Sequence, residues 1–99
     1  MNIQIQAVNF NADKKLVKHI EDKIQTLTRY YDHIVGAEVY LKVQKTSEKD
    51  NKLLDLKISI PGKDHVVKKT SSTFEDALLQ SVSSMKETLK RFKDKQRAS

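Results

Sequence analysis

A chain of 99 residues has the length of one domain with a single modest core, without room for a large catalytic cleft and a second domain. It holds no cysteine, which excludes disulfides, thiolate metal ligands and a cysteine nucleophile. A formal charge of +6, with 32% of residues charged, biases the partner toward nucleic acid or another anionic surface.

The N-terminal MNIQIQAVNF alternates apolar Ile3, Ile5 and Ala7 with Gln4 and Gln6, the pattern of a half-buried strand. It lacks the charged-then-apolar layout of a signal peptide. No apolar run approaches membrane-spanning length, so a cytoplasmic protein with no membrane partner is expected. Asp13 has the chemistry of a helix N-cap. Leu16, Ile20, Ile24, Leu27 and Tyr31 follow at steps of four, four, three and four, which places them on one helical face. Gly36 marks a break after YYDHIV.

From Ala37 the period becomes two. Val39, Leu41 and Val43 point one way, and Glu38, Tyr40, Lys42 and Gln44 the other. KTSEKDNK is a loop. Leu54, Leu56, Ile58 and Ile60 form the inward side of the next strand, Pro61-Gly62 a tight turn, and His65 to Thr70 a further strand. Ser72 and Glu75 have capping-box spacing at the start of the second helix. Along it Phe74, Leu78, Val82, Met85, Leu89 and Phe92 form an apolar stripe. Residues 1–95 are read as one domain and residues 96–99 as a frayed tail.

Two amphipathic helices each need an apolar face to cover, and one face of a sheet supplies it. The fold class is therefore α+β. The order is βαβββα, a four-stranded mixed sheet with two helices packed on one face, a layout shared with double-stranded-RNA-binding domains. The first two strands are expected to be parallel and the rest an antiparallel meander.

Catalysis finds little support. His19, His33 and His65 are scattered without metal-ligand spacing and read as ordinary surface histidines. Two glycines cannot make a phosphate-cradling loop. The expectation is no enzyme, no cofactor, no metal and no small-molecule substrate. The basic residues say more. Lys86, Lys90, Lys93 and Arg97 form one line beside the stripe of the second helix, while Arg91 and Lys95 lie toward its other side. One or two cations satisfy a helix C-terminus; this helix carries six from Lys86 onward. Lys18, Lys23 and Arg29 on the first helix and Lys68 on the last strand extend the positive field. Lys23 falls at the edge of the first core stripe, where two side-by-side helices would leave a groove suited to a phosphate backbone. Periodicity supplies two flanks of the second helix and does not choose between them. A protein-interaction module, using the outer sheet face or a strand edge, is the alternative.

The runs LTRYYDHI, VYLKVQK, TFEDAL and LKRFKDK, in this order and spacing, resemble the ribosome hibernation-promoting factor family, also called ribosome-associated inhibitor or sigma-54 modulation protein. Leu27, Tyr30, Tyr31, Asp32 and Ile34 resemble its exit from the first helix. Val39, Leu41, Lys42, Val43 and Lys45 resemble its second strand. Thr73, Phe74, Ala77 and Leu78 stand where its second helix starts, and Leu89, Arg91, Lys93 and Lys95 where it has a leucine followed by spaced basic residues. Lys23 matches a basic position on helix 1. Thr26, Ser84 and Glu87 depart from positions often basic in the family, which moves the emphasis to Lys86, Lys90, Arg91 and Lys93.

The resemblance implies a factor that binds the small ribosomal subunit and its rRNA in the channel for messenger and tRNA, blocks initiation in starved cells and preserves idle ribosomes. The protein is expected to be monomeric when free. Longer members carry a C-terminal dimerisation domain. This sequence stops at Ser99, so ribosome dimerisation is expected to need a separate partner or to be absent.

Overall fold

Asp13 starts the first helix as its chemistry suggests: its carboxylate Oδ1 accepts from the Leu16 backbone N–H at 2.7 Å. A computed structural model describes residues 1–98, with side chains through Lys95. The elements are β1 (Asn2–Val8), α1 (Lys14–Gln25), a 3-10 turn (Thr26–Arg29), β2 (Gly36–Val43), β3 (Lys52–Ile60), β4 (Lys63–Ser71) and α2 (Phe74–Ala98). The tail of residues 96–99, where fraying is expected, lies outside the residues whose side chains are described.

The sheet order is β1-β2-β3-β4. β1 pairs parallel with β2, and the remaining pairs are antiparallel. The crossover through α1 makes the first pairing parallel, and Pro61-Gly62 closes the β3–β4 hairpin. Gly62 takes φ 82°, a region open to glycine at little cost. α2 lies over β3 and β4 and beside α1. Between helices and sheet sits one core, in which Ile20, Ile24, Leu27, Leu41, Leu54, Leu56, Ile58, Leu78, Met85 and Leu89 are fully buried.

Four local details depart from the sequence expectation. The first helix does not run through to Tyr31: it tightens into the 3-10 turn after Gln25. The Thr26 and Thr28 hydroxyls donate to the carbonyls of Lys23 and Gln25, bonds back to the preceding turn that compete with regular helix. Leu27 and Tyr31 are buried all the same. Gly36, the break after YYDHIV, is itself the first residue of β2, one before the alternation read from Ala37. A Cβ there would meet the Asn2 carbonyl oxygen at 3.1 Å, so the close β1–β2 approach favours glycine. The cap of α2 sits one residue later than Ser72: Thr73 Oγ1 accepts from the Asp76 N–H at 3.1 Å. The Asp76 carboxylate then accepts from the Ser71 hydroxyl and from Gln80. Finally, His65 is no surface residue. It faces the helices from β4 and is 9% exposed.

Candidate nucleic-acid interface

α2 is 25 residues long, about 37 Å at 1.5 Å per residue. Its buried stripe, ending in Leu89 and half-buried Phe92, divides the basic residues into two flanks. The flank carrying Lys86 and Lys90 meets the end of the 3-10 turn. There the Tyr30 ring lies beneath both ammonium groups, with Lys86 Nζ 4.6 Å and Lys90 Nζ 5.6 Å from its centroid. A cation over an aromatic face is stabilised by about 0.5–1 kcal/mol at an exposed site. A hydrogen bond with Lys86 holds the Tyr30 phenol below its ordinary value of 10; desolvation opposes this in part, and the charges of Lys86, Lys90 and Arg29 reinforce it. Tyr30 thus gathers basic residues from two elements that are remote in sequence.

The other flank faces β4. Arg91 and Lys95, with Thr88 and Phe92, line a cleft completed by Lys63 and His65. Arg91 also lies 3.6 Å from Glu87 in an exposed i,i+4 pair, a contact of small energy. Lys93, on the same line as Lys86 and Lys90, is half-buried.

Lys23 is half-buried in the last turn of α1, where a cation suits the helix terminus. Lys18 is exposed and 3.4 Å from Asp22. Lys68 stands opposite Asp55 in the β3–β4 register and alternates with inward-facing Val67, so it belongs to the outer face of the sheet, away from both helices. The Arg97 side chain lies outside the described residues.

Sequence reasoning passed over Tyr30 as a site residue. The usable signal was the doubled tyrosine: Tyr31 is in phase with the core stripe and becomes buried, which leaves Tyr30 out of phase and free to meet α2. The cluster makes a spectroscopic prediction. Lys86→Ala should raise the Tyr30 phenol toward the ordinary tyrosine value, read as an upward shift of one component in an ultraviolet tyrosine titration. An unchanged titration curve would contradict the Lys86–Tyr30 contact.

A concavity lies on the outer sheet face, bounded by Gln4, Gln6, Glu38, Tyr40, Asp55, Lys57 and Val66. Its Lys57 is bracketed by Glu38 at 3.8 Å and Asp64 at 3.5 Å, so its one cation is already paired. Among the described residues no group of three or more His, Cys, Asp or Glu could hold a metal ion, and no helix is long and apolar enough to cross a membrane. The densest positive charge lies from Lys86 onward, where six cations face only Glu87 and Asp94.

Known proteins share this framework. The ribosome hibernation promotion factor of Bacillus subtilis (strain 168) is 34% identical over 61 residues, a stretch covering 62% of this chain and 31% of that protein. The match thus spans about a third of the curated relative. The N-terminal domain of Protein Y from Thermus thermophilus superposes with a TM-score of 0.81 at 24% identity, over 93% of this chain and 99% of that one. A ribosomal subunit interface protein from Coxiella burnetii gives a TM-score of 0.84 at 17% identity, over 95% and 99%. At those identities the two structures speak for the fold. Residues 3–97 match the family described as Sigma 54 modulation protein / S30EA ribosomal protein, and on that near-complete match the chain belongs to that family.

Proposed function

We propose that this domain is a ribosome hibernation factor. It binds the small ribosomal subunit in the channel used by messenger and tRNA, and it stops translation by occupying that channel. The observation that carries the reading is the convergence of Lys86 and Lys90 of α2 on Tyr30, beside Arg29. The result is a preformed cationic surface on the helical side of the domain, within a family of ribosome-associated proteins. Such a surface seeks phosphate and needs no base-specific readout. Lys23, Arg91, Lys93, Lys95 and Arg97 extend the contact, and Lys18 contributes after release from Asp22. Lys68, on the outer face, contributes only through the long-range field.

On this reading the protein acts by occlusion rather than catalysis, works in the cytoplasm, and is a monomer when free. Residues 1–95 form the ribosome-binding unit. Chemical footprinting of rRNA in small subunits, with and without the protein, tests this directly. Protection at the decoding region is the expected result. Protection confined to other rRNA sites would overturn the channel assignment; no protection, with a protein partner retained after nuclease treatment, would overturn the proposal in favour of a protein-docking module.

A further inference from the structure

The cleft between β4 and the C-terminal half of α2 is separate from the Tyr30 cluster, on the opposite flank of the same helix. It has a volume of about 240 Å³ and is lined by Lys63, His65, Thr88, Arg91, Phe92 and Lys95. Three of these are cations drawn from two elements, Lys63 from the start of β4 and Arg91 and Lys95 from α2. His65, only 9% exposed, has an Nε2 atom without a hydrogen-bond partner. An unsatisfied buried polar atom is costly and calls for a physical reason.

The acidic groups near the cleft do not neutralise it. Asp64 is 3.5 Å from Lys57 and faces outward. Glu87 and Asp94 are exposed, and Glu87 reaches Arg91 only at 3.6 Å. Burial, reinforced by Lys63 and opposed by Asp64, holds His65 below its ordinary 6.5. In the Nε2–H tautomer the neutral ring offers a donor at this atom.

The size and lining specify the ligand chemistry. Phe92 does not offer a free face to a base. Lys63 Nζ lies 5.7 Å from its centroid, the His65 ring meets it edge-on at 5.2 Å, and Tyr31 packs at 5.8 Å. The space left is small and cationic, suited to an oxyanion rather than to a nucleoside.

We propose that this cleft is a second phosphate site, in which Lys63, Arg91, Lys95 and His65 hold one backbone phosphate of an RNA strand. The proposal deepens the RNA-binding reading and rests on it for the source of the phosphate. RNA is then gripped on both flanks of α2, by the Tyr30 cluster on one side and by this cleft on the other. Lys63 and His65, which the basic-helix pattern does not reach, become binding residues. The flexible lysine and arginine side chains move aside to bring the phosphate to Nε2.

Nuclear magnetic resonance titration of the full chain tests the site through the His65 imidazole signals, with inorganic phosphate, hexauridylate and uridine at constant ionic strength. Phosphate and hexauridylate should each produce a saturable shift at His65, and uridine none. The double substitution Lys63→Ala with Arg91→Ala should weaken that response about tenfold or more, since charge-assisted contacts are lost. Lys86→Ala with Lys90→Ala should leave the phosphate response intact. Absence of a saturable shift with phosphate, or an identical one in the Lys63/Arg91 variant, overturns the site. Saturation by phosphate without response to hexauridylate overturns its assignment to RNA. No arm uses ribosomes, so a failure here is distinguishable from a failure of the footprinting.

Discussion

Reversing the charge of Lys86, Lys90, Arg91 and Lys93 together, each to Glu, is expected to abolish co-sedimentation with small ribosomal subunits. Each phosphate contact releases about 0.7–0.9 counterion, so four contacts give a slope of about −3 to −3.6 in a plot of log affinity against log salt. Between 1 M and 0.1 M salt those contacts then supply about 10³-fold in affinity. The reversed variant should lose at least that factor at 0.1 M and show a salt slope smaller by about 3–4. Its fold should survive. Lys90 and Arg91 are exposed, Lys86 and Lys93 half-buried, and none belongs to the buried cluster. An unchanged thermal transition beside lost binding would separate surface charge from structure. Binding that survives the reversal, or that ignores added salt, would remove the basic flanks of α2 from the interface.

Leu89→Ala should act through the opposite route. Leu89 is fully buried on the stripe that separates the two basic flanks. Truncating it removes transfer energy and leaves a cavity, at a cost of about 2–5 kcal/mol. Domains of this size are stabilised by about 5–15 kcal/mol in total. At about 4–8 °C per kcal/mol the melting temperature should fall by roughly 8–40 °C. Thermal unfolding followed by circular dichroism measures this directly. A fall of only a few degrees would mean that the C-terminal half of α2 is not packed as described. Because net charge is unchanged, any binding loss in Leu89→Ala should track the unfolded fraction and recover on cooling. The charge-reversal loss should not.

The two variants also mark where the sequence was legible. The stripe through Leu78, Met85 and Leu89 could be read from spacing because helical periodicity is a local property, and the alternation in β2 and β3 was readable for the same reason. The choice between the flanks of α2 was not local. It depends on which neighbour each flank meets, and the fold supplies a different one to each: Tyr30 to Lys86 and Lys90, and His65 to the cleft of Arg91 and Lys95. Lys68 illustrates the same limit. Its charge was plain, but strand register with Asp55 places it on the sheet face away from the helices. His65 looked ordinary because β4 carries few apolar residues in phase, so its inward position emerged only from pairing with Ile58. The 3-10 turn escaped the pattern because Leu27 and Tyr31 keep helical phase while the threonine hydroxyls tighten the backbone.

Tyr30 has a further consequence for timing. A free lysine side chain loses up to about 2 kcal/mol of rotamer entropy when it is fixed. With Lys86 and Lys90 already resting on an aromatic ring, part of that ordering takes place as the chain folds, before any ligand arrives. The domain therefore presents a template of charge rather than a brush. A ligand that fits it should leave slowly, because departure returns little side-chain freedom to the protein. In the hibernation role proposed above, slow departure would matter more than fast arrival.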